Sequence, residues 1–224
     1  CMGTLYWQLN DCWPVASWSG IDYFGKWKAL HYRVKEAFKP YLLSHEIQDD
    51  QMSFYLVSDE LTDTSGQIQI ELLNFDGAVL YKWNEPVLVK GNQTNQVFEI
   101  PMSAMAQAGP LNQIVIKAEF HAENDDILAK NKIYLMPPKD LDLPDPGITY
   151  SVSDFADYYA VTLKAERLAK YVFVSSELPG NFSENYFDLL PGEEKTITLS
   201  KTAQASSGGH DLESFTAFDQ SLKI

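Results

Sequence analysis

The chain has 224 residues, which is enough for one large domain or for two or three small ones with buried cores. Hydrophobic residues make up 45% and aromatic residues 13%, a composition that excludes an intrinsically disordered chain. The formal net charge is -14, from 17 Lys and Arg against 31 Asp and Glu, so the basic footprint of a nucleic-acid-binding protein is absent and contact with anionic membranes is disfavoured.

The cysteines and the apolar runs bear on two further features, disulfide bonds and membrane-spanning helices. Cys1 and Cys12 both fall in the first dozen residues, so no disulfide framework supports the rest of the chain, and two reduced thiols are the favoured state. No run of about 18 apolar residues occurs, which predicts that the sequence contains no transmembrane helix.

The first region, residues 1–43, is predicted to form one β/α unit. Residues 4–9 are interpreted as a buried strand and residues 10–25 as a long loop rich in Trp, Ser and Gly. Asp22 is a candidate capping residue for the helix that follows, and Pro40 is a stop signal. The helix is predicted from about Lys26 to Lys39, because apolar residues recur there at spacings of three and four. These apolar residues are Trp27, Leu30, Val34, Ala37, Phe38 and Tyr41.

The second region, residues 44–139, alternates apolar and polar residues in short segments with turn signals between them. The predicted strands cover residues 52–58, 67–74, 78–83, 97–101, 114–120 and 127–135. Short alternating strands at near-regular spacing, with no helix between them, predict an antiparallel immunoglobulin-like sandwich.

The third region, residues 140–224, follows a proline-rich stretch and repeats the all-β pattern. Residues 137–147 hold four prolines and one glycine, which excludes a central strand and predicts a semi-rigid linker. Alternating segments then predict a second, smaller sandwich. Its predicted strands cover residues 148–154, 158–165, 170–176, 195–200 and 212–219.

The residues at the end of the first predicted strand are the candidates for a binding site. Active sites of α/β barrels are built at the carboxyl ends of the strands, and Trp7, Asn10 and Asp11 lie at such an end. The flat face of tryptophan packs on the C–H surface of a sugar ring, and amides and carboxylates hydrogen-bond sugar hydroxyls. Ordinary core packing of Trp7 and Trp13 is the competing interpretation.

Other polar residues predict no catalytic or metal centre. Asp49–Asp50 and Asp125–Asp126 are adjacent pairs in turn-like contexts, and neighbours on a strand point to opposite faces, so solvated turns are predicted. No two histidines have helical spacing and no Cys/His cluster occurs, so a zinc site is not expected. Residues 92–94 and 181–183 match the N-glycosylation sequon, which matters only in a eukaryotic secretory setting.

Two segments resemble one enzyme family. GTLYWQLNDCWPVASWSGIDYFGKWKALHY, residues 3–32, resembles the last strand, loop and helix of the catalytic barrel of family 2 glycoside hydrolases, and is closest to the β-mannosidase branch. That branch has G-x-L-Y-W-Q-L-N-D-x-W-P, then S-W-S, D-Y and K-W-K-x-L-H-Y. NFSENYFDLLPGEEKTITL, residues 181–199, resembles the N-Y-F-D-L-x-P-G-E segment in the terminal immunoglobulin-like domain of β-mannosidases and related exo-glucosaminidases.

The resemblance implies the C-terminal portion of a retaining enzyme that hydrolyses terminal β-linked mannose with two glutamates. Both glutamates lie on earlier barrel strands in the family, so this chain is expected to hold no catalytic residue, and no metal or cofactor is expected. Trp7 is expected to line the sugar pocket, with Asn10, Asp11 and Trp13 as secondary candidates that could instead brace the loop. The expected partners of the full-length enzyme are β-mannoside glycans. The sequence does not give the compartment: the enzyme is expected to be periplasmic or secreted if its source is bacterial, and lysosomal if its source is animal.

The residue patterns and the family resemblance together predict a mainly β fold, with two immunoglobulin-like sandwiches preceded by the last β/α unit of a truncated (β/α)8 barrel. A second hypothesis makes the β domains a carbohydrate-binding or assembly module, in which Tyr158–Tyr159 and Tyr186–Phe187 contact sugar instead of filling a core. A single β/α unit cannot close a barrel. Its helix is therefore expected to pack on the first sandwich or on another copy of the chain, which would allow a homo-oligomer.

Overall fold

The computed structural model describes residues 4–201 and the backbone of residues 215–218. The chain divides into two compact units. Phe38–Pro144 form one unit, which we call the first β domain. The other unit joins the residues up to Ala37, which we call the N-terminal segment, to the residues from Asp145 onward, which we call the second β domain.

The first β domain consists of two antiparallel sheets packed on a common core. Its strands are β1 (Tyr41–Gln48), β2 (Gln51–Ser58), β3 (Thr64–Asn74), β4 (Val79–Val89), β5 (Gln93–Pro101), β6 (Ile114–Ala122) and β7 (Ile127–Tyr134). One sheet has the strand order β1-β2-β5 and the other has the order β4-β3-β6-β7. Because successive side chains alternate between the two faces of a strand, a strand such as β2 contributes every second residue to the core. Phe54, Ile70 and Phe120 are among the fully buried core residues.

The second β domain has the same kind of architecture on a smaller scale. Its strands are β8 (Thr149–Asp154), β9 (Tyr158–Lys164), β10 (Ala169–Ser176), β11 (Phe187–Leu189), β12 (Glu194–Ser200) and β13 (Phe215–Phe218). The two sheets have the orders β12-β9-β8 and β11-β10-β13. Their core includes Val161, Val174, Leu189 and Ile197.

The proline-rich stretch 137–147 contains no strand, as the sequence predicts. A short 3-10 turn spans Pro138–Asp140, and the remaining residues of the stretch lie outside helices and strands. The prolines account for this, because they cannot donate the backbone hydrogen bonds of a sheet.

Helix α1 spans Ala29–Ala37, which lies within the predicted helix and ends ahead of Pro40. A second helix, α2 (Met102–Ala108), lies between β5 and β6, so the expectation of an all-strand region was wrong there. It buries Met105 against the core of the first β domain. Neither of these helices of the described residues is long and apolar enough to cross a membrane.

The predicted strand at residues 4–9 is not present, which corrects the sequence analysis. These residues lie outside helices and strands, and Trp7 is exposed rather than buried. The apolar run has the composition of a strand, but a strand forms only where neighbouring backbone groups complete its hydrogen bonds. The N-terminal segment offers these residues no strand to pair with, and the first isolated bridge is at Asn10.

Candidate functional site

The loop of the N-terminal segment is held together by backbone hydrogen bonds between three short stretches. The amides of Gly20 and Ile21 donate to the carbonyl groups of Gln8 and Leu9, both at 2.9 Å. The amide of Lys28 donates in turn to the carbonyl group of Gly20 at 2.8 Å. Residues 8–11, 19–21 and 26–28 therefore form a small ladder, although none of them belongs to a sheet.

Asp11 is the centre of a polar cluster inside this loop. Its carboxylate is buried and accepts hydrogen bonds from the hydroxyl groups of Ser17 at 2.5 Å and Ser19 at 2.7 Å. The ammonium group of Lys28 donates to the same carboxylate at 3.1 Å and to the Ser19 hydroxyl at 2.6 Å. The hydrogen bonds from Ser17 and Ser19, followed by the contact with Lys28, hold the pKa of Asp11 below its ordinary value. The cluster therefore braces the loop.

Acid should loosen this loop through Asp11. Because the pKa of Asp11 is lower in the folded chain than in the unfolded chain, its stabilising contribution is complete above about pH 4 and is lost as the pH falls through the folded value. We expect Asp11→Asn to reproduce the acid state at pH 7 and to speed hydrogen exchange at the amides of Gly20 and Ile21. Asp49→Asn, at an exposed turn of the first β domain, is the matched control. Unchanged exchange in Asp11→Asn would contradict the bracing role.

The other predicted site residues lie on the surface of the loop. Trp7 is 73% exposed and Trp13 is 63% exposed, so neither is a core residue in this unit. The Trp7–Gln8 peptide bond is cis. Asn10 is also exposed, and its side-chain amide donates to the carbonyl group of Asp11 at 3.2 Å. The loop thus buries its carboxylate and presents its tryptophans.

The N-terminal segment is attached to the second β domain through residues 180–186. Asn181 makes two hydrogen bonds to the turn that precedes α1: its Oδ1 accepts from the amide of Trp27 at 2.8 Å, and its Nδ2 donates to the carbonyl group of Gly25 at 2.9 Å. The turn itself is closed by Asp22, whose Oδ1 accepts from the amides of Phe24 and Lys26. Asp22 therefore closes this turn and does not cap α1, which corrects its predicted role.

Tyr32 is the buried contact of helix α1. Its hydroxyl group donates to the carbonyl group of Phe182 at 3.1 Å, and its ring contacts those of Trp27 and Tyr186. Burial raises the pKa of Tyr32 to about 12, so the neutral phenol that donates this bond persists across the physiological range. Further along the helix, the ammonium group of Lys35 donates to the carbonyl group of Ser183 at 3.0 Å.

These contacts correct the expected partner of the helix. Helix α1 packs on the second β domain, with which it forms one compact unit, whereas the first sandwich or another copy of the chain was expected. The residues it contacts belong to the NFSENY part of the second sequence motif. The periodicity of the helix could not identify its partner, because an apolar stripe carries no information on which surface will cover it.

The aromatic residues named for sugar binding in the β domains are mostly involved in packing. Tyr159 is buried, and Phe187 packs against the core of the second β domain. Tyr186 stacks on Phe173 with a centroid distance of 4.9 Å. Tyr158 is the exposed member of this set and stacks on the exposed ring of Phe155.

The remaining predictions about polar groups concern turns, thiols and metals. Asp49 and Asp50 form the two-residue turn between β1 and β2, as predicted, with φ values of 49° and 63°. Cys12 is an exposed free thiol, while Cys1 and His210 lie outside the described residues. Within residues 4–201, no three His, Cys, Asp or Glu side chains are grouped so as to hold a metal ion.

Both β domains match known domain families. Residues 50–140 match the mannosidase Ig/CBM-like domain, and residues 143–217 match the Ig-fold domain of mannosidases. The chain carries two mannosidase-type immunoglobulin-like domains. The immunoglobulin-like fold and the resemblance to β-mannosidases are thereby confirmed. The N-terminal segment lies outside both matches.

Similarity to β-mannosidases extends over most of the chain. β-Mannosidase A of Aspergillus oryzae is 29% identical over 88% of this chain and 23% of its own length. β-Mannosidase of Mus musculus is 29% identical over 83% of this chain and 22% of its own length. The chain therefore spans about a quarter of the length of the curated relatives it matches.

Two solved glycosidase structures share the fold. A β-D-mannosidase from Dictyoglomus thermophilum matches with a TM-score of 0.76 at 24% identity. The match covers 96% of this chain and 26% of the mannosidase chain. An exo-chitosanase from Amycolatopsis orientalis has a TM-score of 0.69 at 20% identity, with coverages of 91% and 28%. Both matches again involve a little over a quarter of the longer protein.

Proposed function

We propose that this chain is the C-terminal accessory region of a retaining, exo-acting β-mannosidase, in which residues 1–43 complete a catalytic (β/α)8 barrel as its last β/α unit. The catalytic glutamates belong to the barrel portion of the longer protein and not to this chain. Similarity to enzymes named β-mannosidase over 83–88% of the chain supports this assignment. The mannosidase-type domains support it as well.

The observation that carries the proposal is the exposed apolar surface of the N-terminal segment. Several large apolar side chains of one short loop are exposed to solvent, although the Asp11 cluster holds the loop in a defined conformation. Chief among them are Leu5, Trp7, Trp13, Trp18 and Phe24. Large apolar side chains that a folded loop exposes together are typical of an interaction site, and neighbouring barrel strands and a sugar are the occupants proposed for this one.

Within that surface, Trp7 is proposed to contact the terminal sugar. Its exposed indole supplies the flat apolar face that packs on a pyranose ring, and Asn10, three positions further along the chain, supplies an exposed amide for a hydroxyl group. Trp13 is a secondary contact. Asp11 has both carboxylate oxygens engaged by Ser17 and Ser19, so its proposed role is to brace the loop.

The proposal is tested by assaying an aryl β-mannoside with two proteins. The 224-residue chain alone is expected to show no turnover, and a longer protein that includes this chain and the barrel is expected to hydrolyse the substrate. In the longer protein, Trp7→Ala should lower kcat/KM by about 10–100-fold, which corresponds to the loss of one well-packed aromatic contact with the sugar.

Phe155→Ala is the matched control, because it removes an exposed aromatic ring from the second β domain, to which the accessory-region proposal assigns no contact with the substrate. It should leave kcat/KM unchanged. Turnover by the 224-residue chain alone would contradict the accessory role. Equal effects of Trp7→Ala and Phe155→Ala would contradict the sugar contact. Calorimetry of the isolated chain with mannan oligosaccharides then shows whether the β domains bind sugar independently.

A further inference from the structure

We infer that Asn181 of the second β domain is a positioning residue, which fixes the loop that carries Trp7. No match with a known family assigns a role to this residue. The catalytic consequence of the inference rests on the proposed function, while its structural part concerns contacts within this chain alone.

Asn181 uses both polar atoms of its side chain on the same turn. Its Oδ1 accepts from the amide of Trp27 and its Nδ2 donates to the carbonyl group of Gly25, at 2.8 and 2.9 Å. This pairing imitates a backbone ladder, so the turn is held to the second β domain as a strand is held to its neighbour. The Nδ2 atom is also the one to which a glycan would be attached, and here it donates a hydrogen bond to the carbonyl group of Gly25.

The residues around Asn181 are themselves firmly anchored. The side chain of Phe182 is buried, and its backbone forms a bridge with Leu199 of β12. The amide of Ser183 donates to the carbonyl group of Thr198 at 2.7 Å, while the Ser183 hydroxyl accepts from the Thr198 amide at 2.9 Å. Asn181 therefore projects from a stretch attached to a sheet, which makes it a fixed point for the turn.

A continuous set of backbone contacts connects Asn181 with Trp7. Trp27, which Asn181 holds, is bridged to Ile21. Ile21 donates to the carbonyl group of Leu9, and the adjoining Gly20 donates to the carbonyl group of Gln8. Gln8 follows Trp7 directly in the chain. The position of the tryptophan thus depends on a ladder whose far end is fixed by one asparagine side chain.

The structural part is tested by hydrogen exchange on the full 224-residue chain. Asn181→Ala should speed exchange at the amides of Gly20, Ile21 and Lys28 by about tenfold or more, because two hydrogen bonds of the turn are lost. Asn181→Asp should act in the same direction, since it replaces the donor facing Gly25 with an oxygen. Asn84→Ala, on the exposed face of edge strand β4, is the matched control and should leave these amides unchanged.

The catalytic part is tested in the longer protein that includes the barrel. Asn181→Ala should raise KM for an aryl β-mannoside by about tenfold while changing kcat by less than about threefold, because a displaced Trp7 weakens binding of substrate and transition state alike. Leu163→Ala, a fully buried core substitution in β9, should lower Tm without this change in KM. Equal KM effects from both variants would overturn the positioning role.

The two proposals fail in different ways. Unchanged exchange at Gly20 and Ile21 in Asn181→Ala would overturn the inference whatever the enzyme does. Faster exchange with an unchanged KM would also overturn it, since the turn would then move without affecting the substrate. A wild-type longer protein without β-mannosidase activity would refute the proposed function and, with it, the catalytic part of the inference.

Discussion

Asp188→Ala is expected to lower the free energy of unfolding of the second β domain by about 3–5 kcal/mol, because it breaks a buried ion pair by removing one of its two charges. Lys170 and Asp188 form an ion pair at 3.2 Å, with side chains that are 5% and 7% exposed. The second carboxylate oxygen of Asp188 accepts from the amide of Tyr171 at 2.8 Å. Tyr171 lies at the irregular register of β10 with a φ of 58°, so the same carboxylate also stabilises a left-handed backbone conformation. Chemical denaturation followed by circular dichroism measures the loss.

The matched control is Glu194→Ala, which breaks the exposed pair of Lys164 and Glu194 in the same domain. Exposed pairs contribute about 0–1 kcal/mol, so this variant should be nearly neutral. The double variant Lys170→Met with Asp188→Leu should recover much of the loss, since it removes both buried charges. Similar losses in Asp188→Ala and Glu194→Ala would contradict the argument.

The loss in Asp188→Ala should also depend on pH. Burial lowers the pKa of Lys170 below its ordinary value. At pH values between the folded-state pKa and the unfolded-state pKa of Lys170, the unfolded chain binds more protons than the folded chain. The free energy of unfolding therefore rises with pH across that interval. Asp188 raises the pKa of Lys170, so its removal lowers that pKa further. The free energy of unfolding of the variant should therefore begin to rise at a lower pH than that of the wild type.

Tyr32→Ala is the second large effect, and it should separate the N-terminal segment from the second β domain. Tyr32 is only 6% exposed, and its removal leaves a cavity between α1 and Tyr186 and deletes the hydrogen bond that Tyr32 donates to the carbonyl group of Phe182. Truncation of a large buried side chain costs about 3–5 kcal/mol. We expect the segment to detach while the sheets stay folded, so that the loss falls on the free energy of docking. Fluorescence of Trp27 during denaturation should then report an earlier, separate transition.

Two further variants, one at Tyr32 and one at Leu30, separate the contributions that Tyr32→Ala removes together. Tyr32→Phe keeps the ring and removes only the hydrogen bond to Phe182, so it should cost about 1–3 kcal/mol. Leu30→Ala, on the more exposed side of α1, should cost less than about 1 kcal/mol. A Trp27 transition that coincides with unfolding of the sheets in every variant would contradict separate docking.

The sequence predicted the residue types of the candidate site but could not predict how they are arranged. The sequence pattern singled out Trp7, Asn10, Asp11 and Trp13, and the family resemblance placed them near a sugar. Nothing local distinguished the buried Asp11 from its exposed neighbours, because its partners Ser17, Ser19 and Lys28 lie 6 to 17 positions away. Asn181 was visible only as part of a motif and a sequon, since its partners lie more than 150 positions earlier in the chain.

The sequence by itself determined where most strands lie. Alternation of period two and turn residues are local properties, so the strands of both sandwiches and the proline-rich linker followed from them. Edge strand β1 was missed because only Leu43 in it is buried, so it lacks a clear alternation. The tertiary structure alone decided that α1 packs on the second β domain and that residues 4–9 form no strand. Both outcomes depend on which distant groups complete a surface or a hydrogen-bond ladder, and that information is not local to the segment concerned.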